Sequence, residues 1–283
     1  MNNCDVNKVR NFAIAGHAGC GKTSLSDLML FKSGKVTRQG KVDQKNSVSD
    51  FRPEEQERQH NCSASYLNCT WKDNQFVFID TPGNPDFIGD ATAGLNVCDL
   101  ALIVVDGVNG LEFGATRAWR TARERNCPRM VFVNTLDREN ADFQKALDSL
   151  QAAYGKTTCV PFTLPIGKEA DLSAVYNVLG SEEAPAEIAD LAESYKSAVL
   201  DTAAESDEEL MMRYLEGEEL SPEEVAKGLH AAVMDGSLVP VFFGSVEKDL
   251  GVEELMDGIV NLGPNPTRQG SVPLAGDGEV ECT

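Results

Sequence analysis

A glycine-rich segment at residues 16–23, with the sequence GHAGCGKT, carries the clearest chemical signal in the chain. It fits the pattern G-x-x-x-x-G-K-[ST] and follows the apolar run FAIA, which predicts a strand before it and a helix from near Thr23. The glycines let successive backbone N–H groups point at one phosphate, Lys22 adds a positive charge, and Thr23 offers a hydroxyl to Mg²⁺. A glycine-rich turn without a ligand is the alternative, but the flanking elements favour a nucleoside phosphate site. The predicted binding residues are His17, Ala18, Gly19, Cys20, Gly21, Lys22, Thr23 and Ser24.

Two later segments, each after an apolar run, indicate which nucleotide binds. The first is DTPG at residues 80–83, where Asp80 can hold Mg²⁺ through water and Gly83 can offer its N–H to a γ-phosphate. The second is NTLD at residues 134–137, where Asp137 can accept hydrogen bonds from two guanine nitrogens that adenine cannot match. Asp137 as a helix N-cap is the alternative. Because the DTPG and NTLD segments follow a phosphate loop in this order, guanine recognition is the favoured interpretation of Asp137.

The order of these motifs resembles that of the translational GTPases. A further match, Gly-Ser-Val, lies at residues 244–246. The likeness is to the nucleotide-binding part of elongation factor G, especially its divergent, elongation-factor-G-like branch, and extends from about residue 10 to about residue 266. Other segments that resemble the family are residues 50–58 (first switch), 207–220 (inserted subdomain) and 251–256 (last helix).

This resemblance implies a GTPase that binds GTP or GDP with Mg²⁺ and converts GTP to GDP. It implies the α/β fold of a P-loop NTPase (a Ras-like G domain), with an inserted acidic α+β subdomain. The implied catalytic residues are Lys22, Gly83 and Asn84. The implied guanine-binding residues are Asn134, Thr135, Asp137, Gly244, Ser245 and Val246. The implied Mg²⁺ ligands are Thr23, Asp80 and Asn61.

Six positions depart from the family pattern, two of which are Gln59 and His60, where the family has Gly-Ile. Asn84 stands where the family has a histidine that positions the attacking water, and an amide cannot act as a general base near neutral pH. Asn61 replaces the switch threonine and Gly19 replaces an aspartate of the phosphate loop. Thr135 replaces the lysine whose aliphatic stem covers the base. Groups that promote hydrolysis are therefore fewer, and we expect slow GTP hydrolysis.

Two alternative functions stay open at this point. In the first, the chain senses GTP against GDP with little or no hydrolysis, and its output is a conformational state. In the second, it is a P-loop enzyme that uses ATP, in which case the N-x-x-D motif is coincidental. The departures at Asn61 and Asn84 favour the sensing module over a fast enzyme, whereas Lys22, Thr23 and Asp80 are compatible with both.

The chain of 283 residues is acidic, with a net charge of −20, and the charge is unevenly placed. Residues 181–235 hold 16 acidic residues against three basic ones, so this surface repels RNA phosphates. It is either a solvated helical face or a docking surface for a basic protein. The resemblance implies the ribosome as partner and its stalk protein as the contact of this segment, with Glu187, Asp190 and Glu193 as candidates.

The composition predicts a protein of a reducing compartment and no membrane-spanning segment. No apolar run approaches a membrane span, the N-terminus lacks a signal pattern, and eight scattered cysteines form no C-x-x-C pair. We expect a cytoplasmic monomer with no sequence-specific nucleic-acid binding by this segment. Cys20 lies beside a helix N-terminus, which favours a thiolate, although a small residue that fits the loop is the simpler interpretation.

Strand and helix patterns alternate along most of the chain, which predicts a mostly parallel sheet with helices on both faces. A hairpin of residues 61–71 and 75–80 adds one antiparallel edge strand. In the insertion, an extended run is followed by two acidic helices, the second of which begins at Ser221. The expected strands are 10–16, 99–105, 130–134 and 238–243, and the expected helices include 112–125 and 141–154. The expected division is a G domain (1–154 and 237–266), the insertion (155–236), and a linker that opens a further β-barrel domain (267–283).

Overall fold

The computed structural model describes residues 5–218, 220–269, 271–273 and 279–281. The strands are the short apolar runs of the sequence, each ended by a glycine, a proline or a polar residue that begins a loop. In chain order they are β1 (Val9–Gly16), β2 (Ser65–Trp71), β3 (Asn74–Asp80), β4 (Leu100–Asp106), β5 (Arg129–Asn134), β6 (Cys159–Pro161), β7 (Thr163–Ile166), β8 (Ala174–Asn177), β9 (Val239–Phe243), β10 (Ser271–Pro273) and β11 (Glu279–Glu281).

One seven-stranded sheet forms the centre of the fold, with the strand order β2-β3-β1-β4-β5-β9-β6. Strand β2 pairs antiparallel with β3, and the other neighbouring strands pair parallel. Every residue of β4 and β5 is buried, as expected for parallel strands covered on both faces. The predicted mostly parallel sheet with one antiparallel edge strand is confirmed.

Helices cover both faces of this sheet. Along β1, Phe12 and Ile14 point into the core shared with α1, α8 and α9, whereas Ala13 and Ala15 point into the core shared with α3, α4 and α5. Because successive side chains of β1 point to opposite faces of the sheet, this one strand contributes to both apolar cores. The helices are α1 (Lys22–Lys32), α2 (Pro53–Arg58), α3 (Ile88–Val97), α4 (Phe113–Glu124), α5 (Phe143–Tyr154), α6 (Ala189–Ala204), α7 (Glu208–Leu215), α8 (Pro222–Asp235) and α9 (Val252–Leu262).

The described part of the predicted insertion contains three helices, so the expectation of two was wrong. The acidic run that reads as one helix is divided between α6 and α7, because the Asp207 carboxylate caps a new helix by accepting from the N–H groups of Glu209 and Leu210. The predicted start of the last helix is correct: Ser221 and Glu224 form a reciprocal capping box.

The insertion is also joined to the main sheet. Its strand β6 pairs with β9, and Val199 and Ala203 of α6 pack in the same core as Phe12. Strands β7 and β8 form a separate antiparallel hairpin. The division of the chain into a G domain and an insertion remains a prediction.

At the C-terminal end, β10 and β11 pair antiparallel. The rest of the predicted β-barrel start, residues 270, 274–278, 282 and 283, lies outside the described residues. Among the helices that the structure describes, none combines the length and apolar character that a membrane crossing requires.

We predict that Phe12→Ala lowers the free energy of unfolding by about 3 to 5 kcal/mol, because it opens a cavity in the core. Phe12 is fully buried, and its ring lies 5.2 Å from that of Phe78 and 5.5 Å from that of Phe76. Phe12→Leu, which keeps most of the volume, should cost less than about 1.5 kcal/mol. Urea unfolding of the three proteins measures both changes, and equal losses for the two variants would contradict this account of the core.

Candidate functional site

Apart from Asn61, which precedes β2, the predicted site residues lie at or just after the carboxyl ends of β1, β3, β5 and β9. Parallel strands place these ends along one edge of the sheet, where open α/β sheets bind their ligands. Loops that are more than 200 residues apart in the chain therefore meet at this edge. A cleft at this edge is lined by Ala18, Gly19, Gly21, Lys22, Thr23, Ser24, Gly83 and Asn84, together with one arginine and residues of the first switch segment. From here on this name covers residues 36–63, which contain the match at residues 50–58.

The phosphate loop connects β1 to α1 as predicted, and α1 begins at Lys22. Gly19 and Gly21 have φ angles of 80° and 93°, a left-handed conformation that favours glycine. A Cβ at Gly21 would lie 2.2 Å from Nδ2 of Asn134, so this position also needs the absence of a side chain. The Lys22 side chain is buried, and its ammonium group donates to the carbonyl oxygen of His17 at 2.7 Å. The ammonium group is thus held within the curve of the loop.

Gly83 lies directly against the phosphate loop. A Cβ at this position would lie 2.2 Å from Nζ of Lys22 and 2.9 Å from the backbone nitrogen of Ala18. The adjacent Asn84 turns its carboxamide to its own chain, where Oδ1 accepts from the N–H of Asp86 at 3.1 Å and caps a short 3₁₀ turn. The structure therefore brings Lys22, Gly83 and Asn84 to the same cleft.

A buried polar cluster connects α1, β3 and the first switch segment. The Thr23 hydroxyl donates to Oδ1 of Asn61 at 2.6 Å, and the Asn61 amide donates to Oδ2 of Asp80 at 3.0 Å. Ser49, which sequence reasoning missed, donates to the same Asp80 oxygen at 2.6 Å. Burial raises the pKa of Asp80, whose Oδ1 has no hydrogen-bond partner among the described residues. The three predicted metal ligands are therefore brought together around an unsatisfied carboxylate oxygen.

The Asn134 side chain connects the phosphate loop to the loop after β9. Its Nδ2 donates to the carbonyl oxygen of Cys20 at 3.0 Å, and its Oδ1 accepts from the N–H of Val246 at 2.9 Å. In the same region the Ser245 hydroxyl donates to Oδ1 of Asp137 at 2.5 Å. The predicted guanine-binding residues thus form one connected group beside the phosphate loop, with Gly244 directly after β9.

Thr135 belongs to this group by position, but its side chain points away from the cleft. It is buried and has a φ angle of 65°, which is strained for a β-branched residue. Its hydroxyl donates to Oδ2 of Asp106 at 3.0 Å and accepts from the N–H of Gly107 at 3.0 Å. A direct contact between the Thr135 side chain and a ligand is therefore not part of this geometry.

Sequence reasoning also missed two charged residues that line the cleft, Asp50 and Arg138. Their positions carried a usable signal, because Asp50 opens the segment that resembles the first switch and Arg138 follows Asp137 directly. Cys20 is buried, and this burial raises the pKa of its thiol and so opposes a thiolate. The interpretation of Cys20 as a small residue that fits the loop stays a prediction.

The family model for the elongation factor Tu GTP-binding domain matches residues 7–265. The chain belongs to this family. A protein from Thermus thermophilus, known from its crystal structure, is similar to this GTP-binding domain with 30% sequence identity and a TM-score of 0.87. The match covers 93% of this chain but only 41% of that one, so the domain spans less than half the length of that protein. These findings confirm the predicted translational GTPase domain and its α/β P-loop fold.

The GTP-binding domain should lose stability as pH rises, through Asp50. Both carboxylate oxygens of Asp50 lack a hydrogen-bond partner among the described residues, and burial, with Asp80 and Glu55 nearby, raises its pKa to about 7. Because this pKa is higher in the folded than in the unfolded chain, the stabilising contribution is complete at acidic pH and is lost as pH rises through about 7.

We expect the parent protein to lose about 2 to 3 kcal/mol of stability between about pH 5 and about pH 8 that Asp50→Asn does not lose. Urea unfolding with EDTA and without nucleotide measures the difference. Asp43→Asn, at an exposed position of the same segment, is the control and should follow the parent curve. Parallel curves for Asp50→Asn and the parent would contradict the raised pKa.

Proposed function

We propose that this domain binds GTP and GDP in the cleft beside the phosphate loop and hydrolyses GTP to GDP slowly, as the G domain of an elongation-factor-G-like translational GTPase. The observation that carries the proposal is the Asn134 side chain, which connects the phosphate loop at Cys20 to the guanine loop at Val246. One molecule that presents phosphates at one end and a guanine at the other fits a cleft built in this way.

The phosphates bind between the loop and α1. Residues 17–24 supply backbone N–H groups at a helix N-terminus, and Lys22 supplies the charge. Gly83 packs against Lys22 and Ala18, and its backbone N–H donates to the terminal phosphate. The guanine edge binds Asp137, which Ser245 orients, and the loop at residues 244–246 closes over the base.

The buried polar cluster fits a magnesium ion. Thr23, Asn61 and Asp80 present oxygen atoms, the donor type that Mg²⁺ prefers, and one buried Asp80 oxygen lacks a partner among the described residues. When bound, Mg²⁺ neutralises charge on the β- and γ-phosphates. Asn61 and Ser49 hold the first switch segment against Asp80, so this segment is coupled to the contents of the site.

Hydrolysis is slow in this proposal because of Asn84. Its carboxamide lines the cleft but accepts a hydrogen bond from the N–H of Asp86, and an amide does not take up a proton from water near neutral pH. The same observation favours the second candidate function, a guanine-nucleotide-sensing module with little or no hydrolysis. In that case the conformation of the first switch segment and of a second one, residues 80–96, depends on which nucleotide is bound, and this conformation is the output.

The acidic insertion gives the domain a surface for a basic partner. Asp190 and Glu193 are exposed on α6, whereas Glu187 is exposed just before the helix begins. We propose that the parent protein acts on the ribosome in the cytoplasm and that this surface contacts the stalk protein. We also propose that the domain is a monomer, and that residues 267–283 lead into a further β-barrel domain.

Calorimetric titration with GDP, GTP and ATP, each with Mg²⁺, tests the binding proposal. We expect micromolar or tighter binding of both guanine nucleotides and no heat from ATP, because adenine does not satisfy Asp137. Lys22→Ala should weaken both guanine nucleotides by at least about tenfold while the fold is retained. Equal binding of all three nucleotides, or binding of none, would overturn the proposal.

Single-turnover GTP hydrolysis tests the role of Asn84. We expect Asn84→His to increase the rate by about 10- to 100-fold, since a positioned imidazole can orient or deprotonate the attacking water. Asn84→Ala is the control and should hydrolyse GTP at the parent rate. Fast GTP hydrolysis by the parent protein would contradict this proposal. A large loss of rate in Asn84→Ala would also contradict it, because it would show that the Asn84 amide takes part in hydrolysis. No turnover by the parent protein, even with ribosomes and the full-length chain, would favour the sensing module.

A further inference from the structure

Arg138 stands out among the residues that line the nucleotide cleft, because it is an exposed cation at the mouth of the cleft. The Lys22 ammonium group is buried within the phosphate loop, whereas the Arg138 side chain is 59% exposed. The cleft that Arg138 lines also contains Gly21 and Thr23. A guanidinium group in this place can reach a bound nucleotide, and its binding partner can be inferred from the groups around it.

The backbone places Arg138 on the base side of the cleft. It follows Asp137 directly, and its N–H donates to the carbonyl oxygen of Thr135 at 3.1 Å, which closes a turn. The Ser245 hydroxyl holds the Asp137 carboxylate on the other side of the turn. Arg138 therefore starts from the loop that carries Asp137, and it lines the same cleft as Gly83.

A buried carboxylate lies beside the guanidinium group. Nη1 of Arg138 lies 3.7 Å from Oδ2 of Asp106, a residue whose side chain is only 6% exposed. Asp106 is itself anchored, since its Oδ1 accepts from the N–H groups of Val108 and Asn109 and its Oδ2 accepts from the Thr135 hydroxyl. The ion pair partly neutralises Arg138, which weakens its attraction for phosphate but leaves the flat face of the guanidinium free to stack.

Thr135, two residues before Asp137, leaves the adjacent face of the base uncovered. Its side chain is buried against Asp106 and Gly107 and does not enter the cleft. An aromatic ring bound at Asp137 needs a flat or apolar group on that face to exclude water, and Arg138 is the neighbour that can supply one.

We propose that Arg138 is a guanine-binding residue whose guanidinium group stacks on the face of the base whose edge Asp137 recognises. This inference rests on the proposed function, since it requires that guanine nucleotides bind in this cleft. Arg138 determines how long the base stays bound and contributes little to the binding of the phosphates.

Equilibrium and stopped-flow binding of fluorescently labelled GDP and GTP to the whole chain with Mg²⁺ tests the proposal. We expect Arg138→Ala to weaken binding by about tenfold, mainly through faster dissociation, as a lost cation–π stack predicts. The loss should be the same for GDP and GTP, and the same at about 50 mM and about 500 mM salt, because the phosphates are not the partner. Arg138→Lys should recover only part of the loss, since its aliphatic stem can cover the base but it has no flat guanidinium group to stack.

Arg120→Ala is the matched control, because Arg120 is an exposed arginine on α4 that pairs with Glu124 outside the cleft, and it should bind both nucleotides like the parent protein. Unchanged binding by Arg138→Ala would overturn the proposal. Full recovery in Arg138→Lys, or a loss that is larger for GTP and disappears at high salt, would also overturn it and would indicate a phosphate contact. If the parent protein binds neither nucleotide, the proposed function fails, which is a distinct outcome from failure of this inference alone.

Discussion

The two hydrogen bonds of the Asn134 carboxamide determine the geometry of the cleft. Asn134 ends β5 in the middle of the sheet, with β4 on one side and β9 on the other. One side chain satisfies the carbonyl oxygen of Cys20 and the N–H of Val246, which lie on loops more than 200 residues apart. Because these groups are buried, losing their partner costs about 1 to 3 kcal/mol for each group left unsatisfied. The Asn134 side chain therefore helps to fix the relative position of the phosphate loop and the guanine loop, and it leaves no room for a side chain at Gly21.

The buried polar cluster at the other end of the cleft has a different character. Asp80, Asp50 and Asp27 are all buried carboxylates whose pKa is raised, and each has at least one oxygen atom without a partner among the described residues. Burying a carboxylate is unfavourable unless hydrogen bonds or cations compensate. Ser49 and Asn61 compensate Asp80 only in part, so a bound cation would stabilise this region. The first switch segment supplies both of these side chains, which makes its packing sensitive to the contents of the site.

The left-handed backbone at Thr135 illustrates how local strain is offset. A β-branched residue with a φ of 65° costs of order 1 to 3 kcal/mol, and it persists only where the surroundings support it. Here the hydroxyl satisfies Asp106 and the N–H of Gly107, and the turn that follows delivers Asp137 to Ser245 and Arg138 to the cleft. Strain at one residue of the loop thus positions two others.

The sequence by itself determined the fold class, the alternation of strands and helices along most of the chain, and the location of the phosphate loop, because apolar periodicity and the glycine spacing are local properties. It also placed Asn134 at the end of a buried strand and Asp137 just beyond it, as the structure shows. It did not divide α6 from α7, since the Asp207 cap depends on side-chain geometry rather than on pattern. Only the tertiary structure decided that Asn134 binds Cys20 and Val246, that Ser49 and Asn61 meet at Asp80, and that Thr135 turns inward while Arg138 lines the cleft. These contacts join residues far apart in the chain, and they exist only because the parallel sheet brings the ends of its strands to one edge.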